Sequence, residues 1–168
     1  SDYPAFDRFP LRDHLTKRYQ KNIIIENDIR TAIFGHTKMN EPDSYTSIVG
    51  VYFPQKYSPG VGVYINGNPL NGNNGVAAEI EYMPAFRNID WTDRTITQTI
   101  EIIQTVCVMY NPDLLLLYDT LLNDMQKDQI NLAFSETEYQ YFKPEFRFIN
   151  EINDDYMHGL ISLALQTI

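Results

Sequence analysis

A glycine- and asparagine-rich stretch is the part of this chain that comes nearest to a known catalytic or binding motif. The stretch NGNPLNGNNG, residues 66–75, could cradle a phosphate with its backbone N–H groups, as phosphate-binding loops do. However, no Gly-Lys-Ser/Thr follows it, and the next residues have the pattern of a strand rather than a helix. Because glycine and asparagine accept positive φ, the stretch is predicted to be a long turn between two strands.

The other reactive side chains are scattered along the chain. Tyr52 and Lys56 have the Tyr-x-x-x-Lys spacing of some dehydrogenases, but no dinucleotide-binding fingerprint accompanies them. Cys107 lies among apolar neighbours, which predicts a buried core thiol rather than a nucleophile. The histidines are far apart and form no metal-binding pattern: they are His14, His36 and His158. The sequence therefore predicts no catalytic residue, no metal site and no cofactor.

The charge distribution bears on the class of partner. The 168 residues carry 13 Lys/Arg and 22 Asp/Glu, a net charge of −9. Residues 91–168 hold 4 basic and 12 acidic residues, which gives a net charge of −8 for that half. Nucleic-acid binding needs a basic surface, so it is excluded, whereas an acidic half suits a basic protein partner. No apolar run approaches the roughly 20 residues of a membrane span. A cytoplasmic location is expected, with the periplasm as the alternative.

Hydrophobic periodicity predicts the first half of the fold. Leu11, Leu15 and Tyr19 share one face of a short helix. The β-branched residues within 22–35 predict a strand or a hairpin. An antiparallel meander is predicted from three further strands, at residues 45–53, 61–65 and 76–83.

A long helix, residues 91–110, is predicted in the second half. Its apolar side chains fall at helical spacing, at Ile96, Ile100, Ile103, Cys107 and Tyr110. A buried strand at 114–119, strand signal within 138–150 and a helix at 154–168 follow, whereas 120–134 fits a helix or a loop. Together these elements predict a single α+β domain over residues 1–168, with a largely antiparallel sheet and helices packed mainly on one face.

An acidic and aromatic surface is the remaining functional candidate. Carboxylates beside aromatic rings suit recognition of a basic partner with apolar edges. The alternative is a solvated face next to ordinary core aromatics. The residues predicted to bind a partner are Asp119, Asp124, Asp128, Glu136, Glu138, Tyr139 and Tyr141.

The meander followed by WTDRTITQTIEIIQTVCVMYNPDLLLLYD resembles the architecture of immunity proteins from bacterial polymorphic-toxin and type VI secretion systems. The resemblance covers about residues 45–120 and transfers no functional residue. It implies a non-catalytic acidic protein that binds and blocks one cognate bacterial toxin. The alternative function is a small-molecule or glycan-binding module that uses Trp91 and tyrosines as stacking surfaces. An enzyme with a carboxylate site comes third, and the oligomeric state is left open.

Overall fold

A computed structural model of the protein describes residues 8–40, 45–135 and 138–166. Five α-helices and five β-strands occur within these ranges. In chain order they are α1 (Leu11–Tyr19), α2 (Asp28–Asn40), β1 (Ser47–Tyr52), β2 (Gly60–Ile65), β3 (Asn68–Pro69), α3 (Ile96–Tyr110), β4 (Leu114–Tyr118), α4 (Asp124–Ser135), β5 (Glu145–Ile149) and α5 (Asn153–Leu165). None of the helices in this part of the chain is long and apolar enough to cross a membrane.

The five strands form one mixed sheet in the order β3-β2-β1-β4-β5. The β1–β2 and β2–β3 pairs are antiparallel, whereas the β1–β4 and β4–β5 pairs are parallel. All five residues of β4 are buried, as expected for a parallel strand that is covered on both faces. The predicted α+β class is confirmed, and the structure adds that half of the strand pairs are parallel.

Helices cover both faces of the sheet, whereas the sequence predicted helices mainly on one face. Leu115 and Leu117 of β4 belong to a core cluster with residues of α3 and α4, such as Ile102 and Phe134. Leu116 lies between these two leucines on the strand and faces the opposite side of the sheet, where it belongs to a second core cluster with residues of α2 and α5. An uninterrupted leucine run hides this alternation, so the sequence does not show that β4 has a helix layer on each side.

Helix α2 replaces the strand or hairpin that was predicted within 22–35, so this prediction is wrong. Asn27 caps the helix, because its Oδ1 accepts a hydrogen bond from the Arg30 N–H at 3.1 Å. Ile29, Ala32 and Ile33 are buried at helical spacing against the sheet. Packing of this apolar stripe outweighs the modest β preference of isoleucine.

The strand predicted at 76–83 is also wrong. These residues form turns and a 3-10 helix, Ile80–Tyr82. Gly75 has φ +75° and Ala78 has φ +66°, and such left-handed positions interrupt an extended strand. Ile80 is nevertheless buried in the core beneath this segment. The confirmed predictions are α1, β1, β2, β4 and α5. The helix predicted at 91–110 is present but begins at Ile96, and the strand signal within 138–150 is confirmed only for β5.

Helices α2 and α5 cross at two glycines. A Cβ atom on Gly35 would lie 1.9 Å from the Asp155 carbonyl oxygen, and one on Gly159 would lie 1.9 Å from the Thr31 carbonyl oxygen. Beside the crossing, His36 Nδ1 lies 2.8 Å from Asp155 Oδ2. The Tyr118 hydroxyl donates to the same carboxylate oxygen at 2.9 Å. The two helices and β4 are thus joined by a close backbone contact and a buried polar network.

Cys107 gives a first test of the packing. It is fully buried on α3, and burial raises the pKa of its thiol to about 12. Since the thiolate is the reactive form, we expect thiol reagents to label the native protein slowly and the denatured protein rapidly. Absorbance at neutral pH with a chromogenic disulfide would follow the labelling. Fast labelling of the native state would show that α3 packs differently.

Candidate functional site

The parallel strands end at one edge of the sheet, which we call the carboxyl edge. β1, β4 and β5 end there at Tyr52, Tyr118 and Ile149. The Phe53 N–H donates to the Tyr118 carbonyl at 3.1 Å, and the Asp119 N–H donates to the Ile149 carbonyl at 3.0 Å. In sheets with parallel strands, ligands bind outside the carboxyl ends. Side chains at this edge are therefore the first candidates for a site.

Helix α2 brings Asp28 to the carboxyl edge. Asp28 is exposed and is the first residue of the helix. A Cβ atom placed on Gly60 would lie 3.7 Å from Cγ2 of the neighbouring residue Ile29. Gly60 in turn pairs with Tyr52 at the end of β1. The start of a helix favours a negative side chain, so the Asp28 carboxylate suits this position.

Two carboxylates act on the Tyr52 hydroxyl. Partial burial raises the pKa of Tyr52, and the negative charges of Asp119 and Asp28 raise it further. The pKa of Asp119 is itself raised, first by partial burial and then by Glu151, against a hydrogen bond from the Ile152 backbone. The end of β4 and the start of α2 therefore both place a carboxylate near enough for its charge to act on Tyr52.

Glu79 extends this group from the segment between β3 and α3. Partial burial raises the pKa of Glu79, the charges of Glu81 and Asp28 act in the same direction, and Arg30 opposes them. The preceding Ala78 has φ +66°. A residue with a Cβ rarely adopts this conformation, and such residues concentrate at functional sites. We call Asp28, Tyr52, Glu79 and Asp119 the carboxyl-edge cluster.

A cavity of about 550 Å³ opens beside Glu79. Its walls are mainly apolar, and Glu79, Tyr82 and Tyr110 supply the polar groups. Partial burial raises the pKa of Tyr110. Small-molecule sites have this combination of apolar walls with a few polar groups. The remaining lining residues are Val76, Ala78, Ile80, Met83 and Met109.

The cluster is suited to binding and activating hydroxyl groups. Carboxylates accept hydrogen bonds from hydroxyls and can act as general bases. Among residues 8–40, 45–135 and 138–166, no group of three or more histidine, cysteine or acidic side chains is placed to hold a metal ion.

Of the residues that were predicted to bind a partner, Asp119 belongs to the cluster. Asp124 and Asp128 are exposed on α4, and no contact of theirs with the cluster is observed in the part of the chain that the structure describes. Glu138, Tyr139 and Tyr141 lie on a 3-10 helix, Glu138–Phe142. The Tyr139 ring packs edge-on to Phe134 with centroids 6.2 Å apart, and Tyr141 is exposed. Glu136 lies outside the described residues. A binding role for this acidic and aromatic surface stays a prediction.

Asp28 and Glu79 were missed because both lie in segments whose structure was predicted wrongly. A signal for Asp28 was present in the sequence. Asn27 is a preferred helix-capping residue, and Ile29 and Ile33 follow it at helical spacing. For Glu79 the only sequence signal is its position shortly after the glycine-rich turn. That the charge of Asp28 acts on Glu79 can be known only from the three-dimensional structure.

Comparison with known proteins provides the family context. The profile of the ROK family matches residues 2–89, more than half of the 168-residue chain. The N-acetyl-D-glucosamine kinase of Pectobacterium carotovorum subsp. carotovorum is 31% identical over 83 residues, which is 49% of this chain. The match spans only 27% of that relative's length.

Solved structures share the fold. The ROK hexokinase from Thermus thermophilus superposes with a TM-score of 0.70 at 12% identity, over 96% of this chain and 74% of that chain. The ROK family glucokinase from Streptomyces griseus, in complex with glucose and AMPPNP, gives a TM-score of 0.63 at 14% identity, over 94% and 72% of the two chains.

These findings correct the functional prediction. The resemblance to immunity proteins is wrong, because the family profile that matches is that of the ROK family and the similar proteins are named as sugar kinases. The predictions of a non-catalytic toxin inhibitor, of a type VI secretion context and of a basic toxin as partner are wrong for the same reason. A meander, helix and strand recur in many sheets, and an acidic surface describes solubility and encounter rather than fold or chemistry.

Proposed function

This chain belongs to the ROK family, and from that membership and the carboxyl-edge cluster we propose that it takes part in phosphoryl transfer from ATP to a sugar hydroxyl. The named relatives support the reaction class, because they are an N-acetyl-D-glucosamine kinase, a hexokinase and a glucokinase. The predicted cytoplasmic location is kept within this proposal, since the reaction consumes ATP.

The observation that carries the proposal is the exposed carboxylate of Asp28 at the start of α2, beside the carboxyl edge. Its charge acts on both Tyr52 and Glu79, which come from separate parts of the chain. A carboxylate in this position can contact a bound ligand while Glu79 and Asp119 hold neighbouring hydroxyls. Sugars present such closely spaced hydroxyl donors, and a set of carboxylate acceptors fits them.

In the proposed reaction Asp28 is the general base. Its carboxylate removes the proton from the attacking sugar hydroxyl, and the oxygen forms a bond to the γ-phosphorus of ATP. The bond from that phosphorus to the oxygen bridging the β-phosphate breaks, and ADP leaves with the electron pair. The proton stays on Asp28 until solvent takes it. Glu79, Asp119 and the Tyr52 hydroxyl hold the sugar in line for this attack.

The direct test combines sugar binding with ADP formation. The purified protein is titrated with D-glucose and with N-acetyl-D-glucosamine in a calorimeter, and ADP release from ATP is followed in a coupled assay. We expect saturable binding of at least one sugar and ADP formation that requires that sugar. Absence of both binding at millimolar sugar and sugar-dependent ADP release would refute the proposal.

A further inference from the structure

Arg30 joins the start of α2 to the segment that leads to Glu79. Its Nη1 donates to Asn71 Oδ1 at 3.0 Å, and its Nη2 lies 2.9 Å from Glu26 Oε1. The Arg30 side chain is only 14% exposed. One guanidinium therefore bridges the residues before α2 and the glycine-rich turn after β3, two parts of the chain that are about 40 residues apart.

The backbone around Arg30 is fixed against β2. The Tyr64 hydroxyl donates to the Arg30 carbonyl at 3.1 Å. Gly62 leaves the space for this approach, since a Cβ there would lie 3.4 Å from Arg30 Cγ and 2.6 Å from Ile33 Cδ1. The guanidinium thus extends from a rigid site, and a side chain on a rigid element positions its partners well.

Arg30 is also the cation that acts on Glu79. Glu81 and Asp28 disfavour the ionised form of Glu79, and Arg30 favours it. An arginine fork donates in two directions at once, whereas a lysine supplies a point charge. Arg30 therefore combines two effects, a tether to Asn71 and a compensating charge for neighbouring carboxylates.

We propose that Arg30 is a positioning residue of the carboxyl-edge cluster: by binding Asn71 and Glu26 it holds the segment that carries Glu79 beside Asp28. Without the tether, residues 71–79 lose the link to α2 that the Arg30–Asn71 hydrogen bond provides, and the position of Glu79 relative to α2 is no longer fixed. The effect on catalysis rests on the proposed function. The positioning itself is measurable without any sugar.

The test separates the tether from the charge with three variants. Arg30→Gln removes both, Arg30→Lys keeps the charge without the fork, and Asn71→Ala keeps the charge and removes the tether. Arg18→Gln, on the exposed face of α1, is the matched control. Hydrogen exchange of the 71–79 backbone amides and an NMR titration of the Glu79 carboxyl are measured for each folded variant, together with sugar affinity.

We expect faster exchange of the 71–79 amides in Arg30→Gln and in Asn71→Ala, and no change in Arg18→Gln. The Glu79 titration midpoint should rise in Arg30→Gln and recover in Arg30→Lys. Sugar affinity should fall at least about tenfold in Arg30→Gln, because a displaced acceptor loses its hydroxyl. Asn71→Ala and Arg30→Lys should give smaller losses of affinity.

The outcomes distinguish the positioning role of Arg30 from the proposed function. Unchanged amide exchange and an unchanged Glu79 midpoint in Arg30→Gln would overturn the positioning role. Sugar affinity that stays the same in Arg30→Gln while the wild type binds sugar would overturn it as well. If exchange and midpoint shift as expected but the wild type binds no sugar, the positioning role stands and the proposed function fails.

Discussion

Replacing Gly159 with alanine is expected to destabilise the protein by about 3 kcal/mol or more, because the new methyl group meets backbone. A Cβ on Gly159 would lie 1.9 Å from the Thr31 carbonyl oxygen, which no side-chain rotation can relieve. Helices α2 and α5 would have to separate. That movement would also lengthen the contact between His36 and Asp155, 2.8 Å in the native structure.

Gly35→Ala should have a similar effect from the other side of the crossing, where a Cβ would lie 1.9 Å from the Asp155 carbonyl oxygen. Gly60→Ala is the control, since its Cβ would lie 3.7 Å from Ile29 Cγ2, an ordinary contact. Urea unfolding followed by circular dichroism gives the free energy of unfolding for each variant. Equal midpoints for Gly159→Ala and Gly60→Ala would show that the helices do not cross this closely.

Asp28→Asn is expected to reduce the rate of sugar phosphorylation by roughly 10²–10⁴-fold, the usual contribution of a general base. The asparagine side chain has the same size as that of aspartate and still accepts a hydrogen bond, but it cannot take up the proton of the attacking sugar hydroxyl. Because Asp28 is exposed, the stability should change little. Sugar affinity should change far less than the rate, since Glu79 and Asp119 remain in place.

Asp124→Asn is the matched control for this variant. Asp124 is likewise the first residue of a helix, and its side chain is 99% exposed. Its replacement should leave the rate unchanged, so any general effect of removing a helix-terminal charge would be visible. Steady-state kinetics with each variant measures both parameters. A full rate for Asp28→Asn would mean that another group is the base.

The best-predicted elements are those whose local signals agree with their packing. The apolar stripe of α3 predicted the helix and also packs in the core, so local and tertiary preferences coincide there. The predicted start at residue 91 was wrong, because the helix begins at Ile96 behind a capping box of Thr95 and Gln98. The leucine run of β4 is equally clear, because a short apolar run between turn residues fits a buried strand. The α+β class follows from these elements.

The wrong predictions concern elements whose structure is determined by packing between segments that are distant in sequence. Isoleucines in α2 are buried against the sheet at helical spacing, although β-branched residues taken alone favour strands. The direction of the β1–β4 pair depends on the crossover through α3, which no local pattern shows. The carboxyl-edge cluster depends on both, since Asp28 comes from α2 and Asp119 from the end of β4. Sequence reasoning found Asp119 among the acidic residues but could not place it beside Tyr52.

The position of β4 in the middle of the sheet has a consequence for synthesis of the chain. β1 ends at Tyr52, and its parallel neighbour begins only at Leu114. At ribosomal rates of about 5–20 residues per second, β1 waits roughly 3–12 s for this partner. During that interval its apolar edge is unpaired, and such an edge is a template for aggregation. We therefore expect the nascent chain to be most prone to aggregation, and to depend most on ribosome-associated chaperones, during this interval. The interval ends when β4 pairs with β1.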